Sequence, residues 1–357
     1  MDNLLFSFII PVYNRPEEME RLLHTLLEQT DKNFEVIVVE DGSILDSKAV
    51  CRSFEQHLTI RYFFKENSGP GASRNYGMSK ANGSYFLILD SDCLLPSNYL
   101  EEVRNRLQQH YTDIFGGPDK SHPRFSVFQK AVNEVLTSPL STGGVRGGTT
   151  ALSRFQPRSF NMGISRRAFK QLGGFGNIHP GEDPDFVFRA WNANLESQLI
   201  SAASVYHERR INMRLFAKQI YKFGSVRPIL NKKHPKYTSN MFLLPTLFTT
   251  GLLCILVLLS FELSSLGFSD TTSILLKLGG LVYLVYTITF FIHSLLRSRS
   301  LRISLLATCL LYIQFVAYAL GYIRTTYKLI GVKLEQIEER LPEFFFKNQS
   351  VNSAHEI

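Results

Sequence analysis

Residues Asn67–Asp92 read NSGPGASRNYGMSKANGSYFLILDSD, and the order of features in this stretch decides the fold. A glycine-rich turn opens a helical segment. An apolar run from Tyr85 to Leu89 follows, with no polar residue to mark a solvent-facing side. Such a run reads as a strand buried on both faces. It ends abruptly in Asp90-Ser91-Asp92, two carboxylates one residue apart. Assembling acids at the end of a buried strand is costly unless something positive sits there.

Upstream, the same alternation repeats. LLFSFIIPVYN (residues 4–14), FEVIVVEDGS (34–43) and TIRYFFKEN (59–67) are β-rich runs. Between them lie RPEEMERLLHTLLEQT (15–30) and LDSKAVCRSFEQH (45–57). The first of these has Pro16 at its start, Glu17 and Glu18 in its first turn, and Leu22, Leu23, Leu26 and Leu27 on one face, which are helix-start and amphipathic signals. Strand and helix in alternation predict an α/β domain with a mostly parallel sheet covered by helices. Ligands bind such sheets beyond the carboxyl ends of the strands. Both acidic clusters, Glu40-Asp41 and Asp90-Ser91-Asp92, fall at those ends.

Residues 116–160 are irregular, with four glycines in STGGVRGG (141–148), the pattern of a lid or binding loop. FNMGISRRAFKQLGGF (160–175) then predicts a strand, a helix and a Gly-Gly turn. GEDPDFVFRAWNANLE (181–196) predicts a helix opening with acids, and LISAASVYHE (199–208) a strand reaching His207.

After Lys236 the character changes. Residues 237–261, 278–296 and 303–323 carry no Asp, Glu, Lys or Arg, and each run approaches or exceeds the ~20 residues that span hydrocarbon. The expected division is a domain at 1–236, a membrane region with two to three spanning helices at 237–323, and a basic, amphipathic and partly disordered tail at 324–357. Arg227, Lys232, Lys233 and Lys236 precede the first run, and Arg297, Arg299 and Arg302 separate the second from the third. The positive-inside rule therefore places the N-terminal domain in the cytoplasm, at the cytoplasmic membrane. One conflict remains: three crossings would put the tail outside, yet Arg324, Lys328 and Lys333 follow the third run.

Much of the net charge of +8 flanks these apolar runs, which points to a membrane surface and away from nucleic acid. The four cysteines form no CxxC pair, so neither a disulfide framework nor a zinc site is expected. The apolar start MDNLLFSFIIPVYN has no basic leader and is interrupted by Pro11, so it reads as a strand and not a signal peptide.

Alone, a DxD at a strand end caps a helix or sits in a solvated loop as readily as it binds a hard divalent cation. Its context is more specific. SFIIPVYNRPE, VIVVEDGS, NSGPGASRNYGMSKANGSYFLILDSD, FNMGISRRAF…LGGF and GEDPDFVFR follow, in order and spacing, the family 2 glycosyltransferases. The resemblance covers about residues 4–210. It implies an inverting enzyme of the GT-A fold that uses a nucleotide diphosphate sugar, UDP-linked by expectation. The membrane region resembles that of members acting on lipid-linked or envelope polysaccharide acceptors.

The resemblance also assigns residues. Pro11, Tyr13, Asn14, Asp41, Arg74, Asp90 and Ser91 match positions that bind the nucleotide sugar. Asp90, Asp92 and His207 match ligands of a divalent metal, Mn2+ or Mg2+, with Asp92 the strongest. Asp183 matches the catalytic base. Asn161, Met162, Gly163 and Glu182 match the sugar and acceptor pocket. Each has a structural alternative: Pro11 ends a strand, Tyr13 or Met162 fills core, Arg74 pairs with an acid, Asp183 caps a helix, and His207 is merely packed. Asp185 reads as a first-turn residue that complements the helix dipole. Arg146, Arg154 and Arg158 are candidates for holding an acceptor diphosphate. KQIYKFGSVR (218–227) stands where processive members carry QxxRW, and that motif is absent, which favours transfer of a single sugar.

Overall fold

A computed structural model describes residues 4–120, 122, 124–142, 155–207, 212–263, 270–346 and 355–356. The chain forms two compact units. One comprises residues 1–123, 147–208 and 338–357; the other comprises residues 124–146 and 209–337.

The first unit is built on a sheet. In chain order it contains β1 (Phe6–Val12), α1 (Pro16–Leu27), β2 (Phe34–Asp41), α2 (Lys48–Phe54), β3 (Ile60–Lys65), α3 (Pro70–Lys80), β4 (Tyr85–Leu89), β5 (Cys93–Leu94), α4 (Tyr99–Gln109), β6 (Ile114–Gly116) and β7 (Asp119–Lys120). After α5 (Val127–Thr137) and α6 (Pro139–Thr142), which belong to the other unit, it resumes with β8 (Asn161–Ser165), α7 (Arg166–Leu172), α8 (Glu182–Asn192), β9 (Ser197–Leu199) and β10 (Val205–His207).

The main sheet runs β3-β2-β1-β4-β8-β6-β9, and residues 355–356 pair antiparallel at its β3 edge. β1 pairs in parallel with both β2 and β4, and β2 with β3; only β8 runs against its neighbours β4 and β6. The mostly parallel α/β sheet is as expected. Every residue of β2 and β4 is buried, because helices cover both faces. α1 presents Met19, Leu22, Leu23 and Leu26 to this core, the i, i+3, i+4, i+7 stripe of an amphipathic helix.

A second, three-stranded sheet in the order β5-β10-β7 decides where the acids meet. The stretch 199–208 is not one strand. It breaks after β9 and re-forms as β10, which pairs His207 with Cys93 and Val205 with Asp119. Residues distant in sequence are thereby drawn to the end of β4.

The second unit holds α5, α6, α9 (Met213–Lys233), α10 (Leu244–Leu263), α11 (Asp270–Ser298) and α12 (Leu301–Lys328). Among the described residues three helices are long and apolar enough to cross a membrane, at Asn240–Glu262, Ser273–Ser298 and Leu301–Lys328. The third differs from the others. Within the chain, 44% of its most apolar window is buried, against 6% and 11% for the first two. Ala131, Val132 and Val135 of α5 and Phe216 and Ile220 of α9 form one cluster with Leu310, Leu311 and Phe315 of α12. α9 and α12 touch backbone to backbone: a Cβ at Gly224 would lie 2.1 Å from the Tyr318 carbonyl oxygen, and one at Gly321 2.2 Å from that of Tyr221. The compact units thus divide the chain before α9, whereas the composition changes only after Lys236, because α9 packs along α12.

Candidate active site

The site is assembled from strand ends and helix starts. β2 ends in Asp41, whose carboxylate accepts the backbone N–H groups of Ser68 (2.9 Å) and Gly69 (3.0 Å) and pairs with Lys65. Its neighbour Glu40 accepts from the N–H (2.8 Å) and hydroxyl (2.6 Å) of Ser47 and from Ser43. Asn14 follows β1 with a φ of 54°, and its side-chain oxygen accepts from the N–H groups of Ile44 (2.8 Å) and Leu45 (3.0 Å). The turns after β1, β2 and β3 are therefore tied together at one edge. Pro11 is half-buried within β1, and Tyr13 beyond it is 53% exposed.

Arg74, in the second turn of α3, is buried. Its guanidinium donates to Asp90 Oδ1 (2.8 Å) and to Glu182 Oε1 (3.1 Å). One planar fork thus ties the end of β4 to the start of α8. Glu182 also lies 3.2 Å from His179 Nδ1. Burial opposes its charge, but the hydrogen bond and charge of His179, with that of Arg74, hold it down at about 2.

Asp183 stands beside it in the first turn of α8. Gly181, with φ 113°, is the N-cap, so Asp183 is not. Its carboxylate lies 3.6 Å from Arg158 Nη1. Burial raises its pKa, Glu182 adds to the rise, and Arg158 and Arg74 oppose it.

On the other side of Ser91, Asp92 Oδ1 lies 3.2 Å from His207 Nε2, and Asp119 Oδ2 lies 3.9 Å from His207 Nδ1. Burial disfavours the imidazolium, but Asp92 and Asp119 outweigh it and push His207 up to about 10. Phe160 stacks on the imidazole at 4.5 Å and 12°. Donor atoms of Asp92, Cys93 and His207 lie within 4.8 Å of one another. Burial raises the pKa of the Cys93 thiol, which donates to the Phe160 carbonyl. A carboxylate and an imidazole suit a divalent cation of the Mn2+ or Mg2+ type.

The structure thus brings Asp90, Ser91, Asp92, His207, Arg74, Glu182 and Asp183 into one region of the sheet unit. It does not bring Asn161, Met162 and Gly163 to an open surface. Asn161 is spent on Tyr99 Oη (2.7 Å) and the Ala203 carbonyl (2.8 Å). Met162 has no exposed surface, and Gly163 lies beneath the Phe115 ring, because β8 is an interior strand between β4 and β6. Asp185 binds Arg189 Nε at 3.0 Å, one turn on. Arg146 and Arg154 lie outside the described residues.

Sequence reasoning also missed residues. Glu18 of α1 accepts from the Ser91 hydroxyl at 3.1 Å, and burial together with Asp92 raises its pKa. Asp119 came from an irregular stretch with no local signal. His179 carried no motif of its own.

The mostly parallel sheet covered by helices, with acids and a buried arginine at its carboxyl edge, has the GT-A fold. The solved structure of the mannosyltransferase PcManGT from Pyrobaculum calidifontis, in complex with GDP-Man and Mn2+, shares this fold with a TM-score of 0.59, covering 87% of each chain at 15% identity. Residues 7–173 match the model of glycosyl transferase family 2. An uncharacterized glycosyltransferase of Rickettsia bellii is 44% identical over 95 residues, 27% of this chain and 14% of the relative. The GalNAc(5)-diNAcBac-PP-undecaprenol beta-1,3-glucosyltransferase of Campylobacter jejuni is 31% identical over 113 residues, 31% of this chain and 37% of the relative. The chain spans well under half the length of these two relatives.

Proposed function

We propose that this chain is a membrane-anchored inverting glycosyltransferase that moves one sugar from a nucleotide diphosphate donor to a hydroxyl of a lipid-linked or envelope saccharide. The observation that carries the reading is the Asp90–Arg74–Glu182 bridge, which holds the acidic turn after β4 and the acidic start of α8 in one ion-pair chain. The match to the family model supports the reaction class, and the lipid-diphosphate substrate in the name of the Campylobacter relative supports the acceptor class.

In this reading Asp183 takes the proton of the acceptor hydroxyl as its oxygen bonds to the anomeric carbon. The bond from that carbon to the phosphate oxygen breaks, and the nucleoside diphosphate leaves with the electron pair. A raised pKa makes Asp183 a better base than an ordinary aspartate. Arg74 fixes Glu182, so that Asp183 is presented from a rigid helix start. Asp41 and the turns it organises receive the nucleoside. Asp92 and His207 would hold a divalent cation, which supplies charge neutralisation and Lewis acidity to the departing diphosphate.

The reading also includes a topology. α10 and α11 cross the membrane as a hairpin, and α12 lies along α5 and α9 without crossing. Two crossings return every basic cluster to the cytoplasmic side, Arg324, Lys328 and Lys333 included, which removes the conflict noted above. The burial of α12 against helices that carry Lys130, Glu134, Lys218 and Lys222 supports this.

The test is a donor screen on the full chain in detergent with Mn2+ or Mg2+, reading nucleoside diphosphate release. UDP sugars are the first arm, and GDP sugars, by analogy with the mannosyltransferase, the second. Asp183→Asn should lower turnover by ~10²- to 10⁴-fold while nucleotide affinity stays within twofold. EDTA should abolish wild-type turnover. Wild-type turnover in Asp183→Asn would remove the base assignment.

A further inference from the structure

The segment that follows the third apolar helix returns to the sheet unit and docks immediately before the acidic start of α8. The Phe346 N–H donates to the Asn177 carbonyl (3.0 Å), and the His179 N–H donates to the Phe344 carbonyl (2.8 Å). Ile178 and Phe345 pair as an antiparallel bridge, and Asn177 Nδ2 donates to Glu338 Oε1 at 3.2 Å. This pairing splints residues 177–179, three positions from Glu182 and four from Asp183. Leu341 and Phe344 are buried and anchor it.

The ring of Phe346 has a different setting, only half-buried. It lies against the backbone of Gly69, where a Cβ would fall 2.3 Å from a ring carbon. Its centroid is 5.7 Å from that of His179. Gly69 opens α3 with a φ of +89° and donates its N–H to Asp41 Oδ2. No other residue fits there, since a side chain would meet both a left-handed backbone and the ring. The ring thus touches the turn that carries the partners of Asp41 and the loop that leads to Asp183. A half-buried aromatic ring beside a glycine turn offers a surface on which a nucleobase can stack.

We propose that Glu338–Phe346 completes the donor site, with Phe346 as the aromatic wall that stacks on the donor's nucleobase and the 344–346 backbone as the splint of the 177–179 loop. This rests on the transferase reading above. It makes residues 338–346 part of the donor site.

The experiment measures donor KM, kcat and nucleoside diphosphate Kd for the full-length wild type and for Phe346→Ala, Phe346→Leu and Phe346→Tyr. Loss of one stacked base should raise donor KM and diphosphate Kd by ~5- to 50-fold in Phe346→Ala, with a smaller change in kcat. Phe346→Leu keeps apolar volume, and hence the fold, but not the flat face, so it should show the same rise. Phe346→Tyr should restore wild-type values. Donor KM and diphosphate Kd within twofold of wild type in Phe346→Leu would overturn the stacking role. A lower KM in Phe346→Ala would also overturn it, since the ring would then compete with the donor. A wild type that binds no nucleoside diphosphate overturns the transferase reading itself, which separates the two failures.

Discussion

Replacing Arg74 by Met removes the one guanidinium shared by Asp90 and Glu182 and keeps most of its volume. The two sides of the fork are not equal. The Asp90 side chain is 34% exposed, so water takes over much of its lost pairing. The Glu182 side chain is 7% exposed and cannot be rehydrated in place. Removing one partner of a buried pair costs about 3–5 kcal/mol. The Glu182 carboxyl stands at about 2 where its ordinary value is 4.5, so it is held as the anion. Burial works against that displacement, and His179 and Arg74 together overcome it. His179 lends its charge only when protonated, whereas Arg74 is a permanent cation.

About 3 kcal/mol in a unit of this size lowers Tm by roughly 6–12 °C. The chain's single tryptophan, Trp191, lies in α8 with its indole N–H on Ser197 Oγ at 2.9 Å, so its fluorescence reports the unfolding of the helix that carries Glu182. The pH dependence has a definite sign. A depressed carboxyl stabilises the fold above its unfolded value near 4.5, and that contribution is lost as pH falls towards 2. The Tm gap between wild type and Arg74→Met should therefore be full at pH 7 and shrink below pH 4.5. Adding Glu182→Gln to Arg74→Met should recover part of the loss, because a neutral amide no longer needs a cation. A loss under 2 °C at pH 7, or a gap that does not change with pH, would refute the reasoning.

Two further outcomes follow from the same geometry. Burial and Glu182 raise Asp183, so the acid limb of kcat should lie above pH ~4, the ordinary aspartate range. Arg158→Gln should move that limb higher still, since its charge opposes the rise; a downward shift in the pH–rate profile would contradict this. The two-crossing topology places Lys233 and Arg340 on one side and the 264–269 segment on the other. Single cysteines at 233, 268 and 340, in a background without Cys254 and Cys309, should label in that pattern in sealed vesicles, and opposite labelling of 233 and 340 would exclude it.

The sheet was legible because burial imposes a period on local sequence. β4 is an unbroken apolar run, β1 and β2 are predominantly apolar, and α1 carries a helical stripe, so their types and order follow from neighbouring residues alone. The strand ends were legible for the same reason, which is why Asp41, Asp90 and Asp92 could be placed at one edge. What could not be read is long-range pairing. Nothing near Arg74 announces Glu182, 108 residues away, and nothing near Glu18 announces Ser91. Asn161, Met162 and Gly163 look like a pocket lining when the strand is read alone. Only the order β4-β8-β6 makes them interior. The third apolar run is indistinguishable from a spanning helix by composition, and only the packing of α5 and α9 sets it apart.

The acids at the end of β4 pose a question of charge that the pairings answer in part. Asp90 and Asp92 are one residue apart, yet they serve different partners, because Ser91 turns them to opposite sides: Asp90 to Arg74 and Asp92 to His207. The wider group comprises the carboxylates of Glu18, Asp90, Asp92, Asp119, Glu182 and Asp183. Basic side chains paired with them include Arg15, Arg74, Arg158, His179 and His207. The arginines concentrate on the α8 side, whereas the His207 imidazole stands between Asp92 and Asp119. In the proposed reading, the half of the site nearest Asp92 receives the divalent cation and the half nearest Asp183 receives the acceptor's proton.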